Sequence, residues 1–247
     1  MKKLGFTLAE TLITLGIVGI VSALTIPTLV SNNQNKINAS KLASAIPAVE
    51  NAFTTMMATE GVQDFAETEF AQNYNTTGNS ILSKYTKIIG SNSLSVYYGN
   101  LKPFKNINSK NVTSVPSKIT YQLKNGATIL LSKTNREITE AQAEEAGIPI
   151  TTSSLELRID VNGKQEPNVI GRDLFSFLVG SDGHLYPIGS LTTSWLIYKN
   201  EEQTYSTINS KLPCAPNKLS PNEKDNAWKF SEGCTARLVE KNFIVDY

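Results

Sequence analysis

The sequence predicts an α+β fold in which one long N-terminal helix packs on an antiparallel β-sheet head. Three observations predict it. Residues 11–30 carry no ionisable side chain and are mostly Leu, Ile, Val, Ala, Gly and Thr. Apolar residues then recur at helical spacing as far as Met56. Beyond residue 118, segments that alternate with period two flank Asn-Gly and Asp-Gly pairs, as in hairpins. The chain has 247 residues, enough for one medium domain plus an extended element. It divides into a short basic segment, 1–5, a long helix, 6–60, and a globular head, 61–247.

The N-terminal helix comes first. Lys2 and Lys3 precede the apolar run, Glu10 stands at its start, and the next ionisable residue is Lys36. Residues 11–30 are long enough to cross a bilayer core of ~30 Å at ~1.5 Å per residue. A secretory signal peptide explains the basic start but lacks a small-x-small cleavage site after the apolar run. A plain signal anchor explains the run and leaves the N-terminus in the cytoplasm. Neither explains Glu10. An acid inside an apolar span costs roughly 2.5–3.5 kcal/mol when central and less near the interface, so it needs a partner.

The residues Gly5-Phe6-Thr7-Leu8-Ala9-Glu10-Thr11-Leu12 resemble the prepilin cleavage and methylation site of type IV pilins and type II secretion pseudopilins. The resemblance implies cutting after Gly5 by a prepilin peptidase and N-methylation of Phe6. It implies that Glu10 accepts the charged amine of a neighbouring subunit during filament assembly. Cleavage would create an ammonium at the depth of the carboxylate, and such a pair is stronger in low dielectric than at a surface. Pro27 falls where many pilins carry a helix-loosening proline. The partners implied are other pilin or pseudopilin subunits, the inner-membrane assembly machinery and membrane lipid. The location implied is a single pass through the inner membrane with the head exported. After assembly it would be a pilus at the cell surface or a periplasmic pseudopilus.

The stem continues with Ile37, Leu42, Ile46, Val49, Phe53 and Met56 on one stripe and polar residues opposite. Gly61 is a natural stop. A helix from Phe6 to Thr59 would be ~80 Å long. Pro27 and Pro47 lack an N–H and are expected to bend it. The stripe is read as ordinary core packing.

In the head, residues 62–78 read as a polar connection. Residues 79–89 read as a short amphipathic helix closed by Gly90, and 91–117 as loop with short strands. Ile119–Lys124 and Ala127–Ser132 flank Asn125-Gly126 and predict a two-residue hairpin. Thr139–Ala146 reads as a small helix. Leu155–Val161, Leu174–Val179 and His184–Tyr186 read as strands separated by turns at Asn162-Gly163 and Asp182-Gly183. The stretch Asp160-Val-Asn-Gly163, Pro167-Asn168, Gly171-Arg-Asp173, Phe175, Asp182-Gly183 and Pro187-x-Gly189 resembles heads of large pilin-like proteins, which implies an antiparallel sheet packed on the stem.

Asp160, Asn162, Asp173 and Asp182 are oxygen donors of the kind calcium takes, and some pseudopilin heads hold calcium. The spacing lacks the later acidic positions of an EF-hand. The competing reading is that these side chains brace local turns. No other cofactor is expected.

Cys214 and Cys234 are the only cysteines, separated by a spacer rich in Pro, Asn, Lys and Ser. Such a pair suits a disulfide in an exported head. Two cysteines and the single distant His184 are too few for zinc. The segment from Cys234 to Tyr247 reads as a final strand. It resembles the closing segment of the same pilin-like proteins, and type IV pilins likewise close a C-terminal loop with a disulfide.

Net charge is only +1, yet two opposed blocks are hidden in it. No acid lies between Glu69 and Glu137, an interval holding Lys84, Lys87, Lys102, Lys105, Lys110, Lys118, Lys124, Lys133 and Arg136. Residues 137–182 hold nine acids against Arg158, Lys164 and Arg172. Three readings stand open: solvated charges that offset one another, a complementary surface between subunits, or a basic patch for DNA. In the last, Tyr85, Tyr97, Tyr98 and Phe104 would stack on bases. No His-Glu-x-x-His, Gly-x-Ser-x-Gly or phosphate-cradling glycine loop is present, so no enzyme is expected. The expectation is a pilin-like structural subunit, minor by its size, of a type IV pilus or pseudopilus. The alternatives are a type II secretion pseudopilin acting in protein export and a pilus-associated adhesin or DNA-uptake receptor.

Overall fold

In a computed structural model, the first element is helix α1, Leu8–Glu60. The structure describes residues 7–76, 78–93, 97–98, 104–105, 119–133, 155–166, 168–188, 198–199, 205–206, 214 and 227–245. The chain divides into two units, Met1–Ile37 and Asn38–Tyr247, and α1 contributes to both.

In the first unit the helix surface is apolar and exposed. Leu12, Leu15, Ile20, Leu24 and Leu29 are all more than 60% accessible. Three of its threonines return their hydroxyls to the helix itself. Thr11 Oγ1 donates to Leu8 O (2.8 Å), Thr14 Oγ1 to Glu10 O (2.9 Å) and Thr25 Oγ1 to Val21 O (2.9 Å). No hydroxyl in this trio needs water, which is what a hydrocarbon surrounding requires. By length and composition α1 is able to cross a membrane. Helical structure runs unbroken through Pro27 and Pro47. Each proline leaves the carbonyl four residues earlier, Ala23 or Ala43, without an amide donor at that position.

In the second unit the helix buries Ala39, Leu42, Ala45, Val49, Ala52, Phe53, Met56 and Met57. Ile37, expected on this stripe, is 40% exposed, so the buried face starts at Asn38. The helix ends as expected at Gly61, whose φ of 71° is cheap only for glycine. Val62 N donates to Met57 O at 3.1 Å, the six-to-one bond of a Schellman cap, and Val62 packs on the core beside Met57.

Residues 62–78 are more than a polar connection. A 3-10 turn, Phe65–Glu67, leads into α2, Glu69–Asn73. Asp64 and Thr68 cap them through Ala66 N (2.8 Å) and Ala71 N (3.1 Å). Phe65 and Phe70 are buried with ring centroids 4.6 and 5.7 Å from Phe53. Two isolated aromatics among polar residues give no periodic signal, yet they lock this segment to the stem. The expected helix over 79–89 is also corrected. Only α3, Gly78–Leu82, is helical, and Ile88–Ser93 forms strand β1. Gly90 is not a helix stop. It sits in β1 where the pairing register shifts between Ile88 and Gly90, a place where glycine eases a bulge.

The hairpin is present as β2, Ile119–Leu123, and β3, Thr128–Lys133. Its loop is one residue longer than expected. Gly126 N donates to Leu123 O (3.0 Å) and Leu123 N to Ala127 O (2.8 Å), with Gly126 at φ 88°. That is a turn followed by a glycine bulge, the three-residue form. Strands β4, Leu155–Asp160, β5, Leu174–Val179, and β6, Leu185–Pro187, complete a six-stranded sheet in the order β1 to β6. Every neighbour is antiparallel. Tyr121, Ile129, Ile159 and Phe175 lie in register across the sheet and belong to the same core cluster as the α1 stripe. Two short strands, β7 (Tyr198–Lys199) and β8 (Tyr205–Ser206), pair separately.

The expected final strand is instead helix α4, Ala227–Glu240. Cys234 and Leu238, four residues apart, are both fully buried, and Thr235 Oγ1 accepts from Ser176 N at 3.0 Å. A short apolar run does not separate strand from helix by periodicity alone. The expected helix over 139–146 lies outside the described residues. The disulfide Cys214–Cys234 is formed, with both residues buried.

Candidate functional site

The N-terminal motif is built on the start of α1. Gly5 and Phe6 lie outside the described residues, and Glu10 lies in the first turn. Thr7 precedes the helix and Glu10 is three residues on. Thr7 N and Thr7 Oγ1 both donate to Glu10 Oε2 at 2.8 Å, and Glu10 N donates to Thr7 Oγ1 at 3.3 Å. This is a capping box. It satisfies helix-end donors and places a carboxylate against the positive end of the helix dipole. The sequence signal was available, because Thr-x-x-Glu before an apolar run is a helix-start signature. Both donors converge on Oε2, and among the described residues Oε1 has no hydrogen-bond partner.

The aspartates of the head separate into two places. Asp160, at the end of β4, is fully buried. Its Oδ1 accepts from Asn162 N (3.1 Å) and Gly163 N (2.8 Å), and its Oδ2 from Tyr98 Oη (2.5 Å). Asp173, just before β5, accepts from Val169 N at 2.6 Å and faces Asn162 Nδ2 at 3.5 Å. The structure thus brings Asp160, Asn162 and Asp173 together. Asp182 stands on the β5–β6 turn, accepting from His184 N (3.0 Å) and Tyr186 Oη (2.7 Å). Burial pushes the Asp160 carboxyl up to about 7 against the bonds from Tyr98, Asn162 and Gly163. Burial, and next the Asp160 charge, push Asp173 up to about 8. Tyr98 is raised strongly by the same burial and by Asp160.

Among the described residues no group of three or more His, Cys, Asp or Glu is placed to hold a metal. Calcium takes six to eight oxygens. Here the Asp160 carboxylate already receives three protein donors, so the residues fit turn-bracing better than a calcium cage. Among the described residues Asn162 Oδ1 and Asn168 Oδ1 are buried without a donor. Water is the simplest partner for such atoms.

No family model, curated protein or solved structure matches this chain.

The charge blocks change in meaning once folded. Of the acids in 137–182, Glu156, Asp160 and Asp173 are buried, and Glu156 pairs with buried Arg158 on the same strand. Glu137, Glu140, Glu144 and Glu145 lie outside the described residues. Tyr97 and Tyr98 are buried too. With Phe104 they form a T-shaped aromatic cluster, centroids 4.8 and 5.0 Å apart, with Lys164 Nζ 4.6 Å over Tyr97. Tyr98 closes over Asp160, and the buried rings of Tyr97 and Tyr98 are unavailable for base stacking, whereas Phe104 is half-buried. His184 is exposed, 3.5 Å from Glu50 Oε1, and its backbone helps close the β5–β6 turn.

Proposed function

We propose that this chain is a prepilin-like structural subunit, cut after Gly5 and assembled through α1 into a type IV pilus or pseudopilus. The observation that carries the reading is Glu10. It is the single acid in an exposed apolar helix start, and among the described residues its Oε1 has no partner while Thr7 holds Oε2. A carboxylate poised in this way accepts an ammonium without giving up its helix cap. Cleavage after Gly5 would make Phe6 a new N-terminal amine and leave the Thr7 box intact. The long helix supports the same role. Its first part is apolar and exposed, and its last part is built into the core of a head. Prepilin peptidase, the assembly machinery of the inner membrane and other subunits are the partners this role needs.

The test is the mass and N-terminal sequence of the protein recovered from its own cell envelope. The expected product starts at a methylated Phe6. A start between residues 25 and 30, or an intact Met1, refutes the reading.

A further inference from the structure

The head carries a second feature, independent of the filament role. The α3–β1 connection and the end of β2 enclose two adjoining concavities of about 570 and about 500 Å³ that share Tyr85, Thr86, Lys87 and Lys124. Three lysines, Lys84, Lys87 and Lys124, line the first. Lys124 N donates to Lys87 O at 3.0 Å, so the two main chains that bear these lysines are fastened together. Among the described residues the three ammonium groups have neither ion pair nor hydrogen bond. Among the described residues no acid lines either concavity. Tyr85 packs on the core from one side and lines both concavities, and Ile89 beside it is 69% exposed.

We propose that this cleft binds the phosphodiester backbone of a single nucleic-acid strand. Three cations without a partner among the described residues, on fastened backbone, repel one another until an anion arrives, and a chain of regularly spaced phosphates serves all three at once. The Thr86 hydroxyl of the lining adds a donor for a phosphate oxygen, whereas that of Ser83 already donates to Ser80 O at 2.9 Å. Tyr85 and Ile89 give a base an apolar surface, while the burial of Tyr97 and Tyr98, with half-buried Phe104 edge-on to Tyr98, leaves little for sequence readout. The acidic face of a second copy fits less well. Three of the acids counted on for it are buried, and Asp182 is held by its own turn.

The test uses the full chain in neutral detergent and the fluorescence anisotropy of a labelled oligothymidylate. Wild-type protein is expected to bind with a log–log salt slope near −2, since about 0.7 counterions are released per single-strand phosphate. Lys84→Gln with Lys87→Gln and Lys124→Gln should weaken binding at low salt by at least about tenfold and flatten the slope. A control triple, Lys133→Gln with Lys164→Gln and Lys241→Gln, removes the same charge from exposed positions elsewhere and should bind as wild type. Equal loss in both triples overturns the proposal, because it would mean diffuse charge attraction. So does binding of polyglutamate or of phosphatidylglycerol vesicles as tight as that of the oligonucleotide, or no binding of the oligonucleotide at low salt.

Discussion

The buried carboxylates make the stability of the head fall as pH rises through neutrality. Asp160 and Asp173 keep their protons in the folded state to about 7 and about 8, whereas an unfolded aspartate loses its proton near 4. Between those limits the folded state binds more protons than the unfolded state. The slope of unfolding free energy against pH is therefore negative. The stabilisation is fully present below about pH 4 and is lost by about pH 8. Each group contributes a slope of ~1.4 kcal/mol per pH unit inside its window. Both contribute from about pH 5 to pH 7, so the combined loss there is on the order of 5 kcal/mol, reduced where water reaches the charged form.

Asp173→Asn isolates one half of this. Asn at 173 keeps an oxygen for Val169 N, and its amide group takes the place of Oδ2, whose only side-chain contact among the described residues is the long 3.5 Å one to Asn162 Nδ2. The variant should lose about half of the slope between pH 5 and 7 and be more stable than wild type at pH 8. Urea denaturation of the full chain in neutral detergent, followed by near-ultraviolet circular dichroism at unit pH steps, measures both slopes. Taking the difference between the two proteins removes the titrating groups that do not interact with Asp173; Asp160, whose charge acts on Asp173, stays in the difference. A wild-type stability that rises from pH 5 to 8, or a slope unchanged in the variant, refutes the reasoning.

Glu10→Gln retains an oxygen for the Thr7 cap but carries no charge, whereas Glu10→Ala loses both and weakens the helix start by ~1 kcal/mol. Both variants should insert in the membrane and fail to enter filaments, and incorporation of the Gln variant would dismiss the charge pairing. Replacing Cys214 and Cys234 by Ser should lower head stability by ~3 kcal/mol in denaturant titration, and an unchanged midpoint would refute a structural role. Gly183→Ala should cost about 1–3 kcal/mol, because φ is 79° and the new methyl meets Met57 Sδ at 3.0 Å on the stem helix. A melting temperature within error of wild type would contradict it. Melting temperatures in excess calcium and in chelator should agree if Asp160 and Asp173 only brace turns; a calcium-dependent rise lost in Asp160→Ala would reverse that account.

Much of the fold was legible because its signals are local and periodic. Leu155 to Val161 alternates so regularly that β4 follows from it, and Asn125-Gly126 marked the β2–β3 turn to within a residue. Glycine at 61 ended the helix for a reason visible in one residue type. The failures share a cause. Phe65 and Phe70, Cys234 and Leu238, and Gly90 take their roles from what lies across from them in space. Neighbours along the chain do not reveal it. At the N-terminus, the acid was legible and its Thr7 partner was overlooked.

By itself the sequence determined that two lysines and one acid open a membrane-length helix, that the helix continues as an amphipathic stem, and that hairpins follow. Hydropathy and period depend only on residue order, and they carry that much. Period two also told that Glu156, Arg158 and Asp160 share a face of β4, and a half-solvated sheet would leave that face to water. Only the tertiary structure decided that it is buried, with Glu156 paired to Arg158 and Asp160 closed over by Tyr98. Periodicity assigns residues to faces, but what covers a face is set by packing between segments distant in the chain.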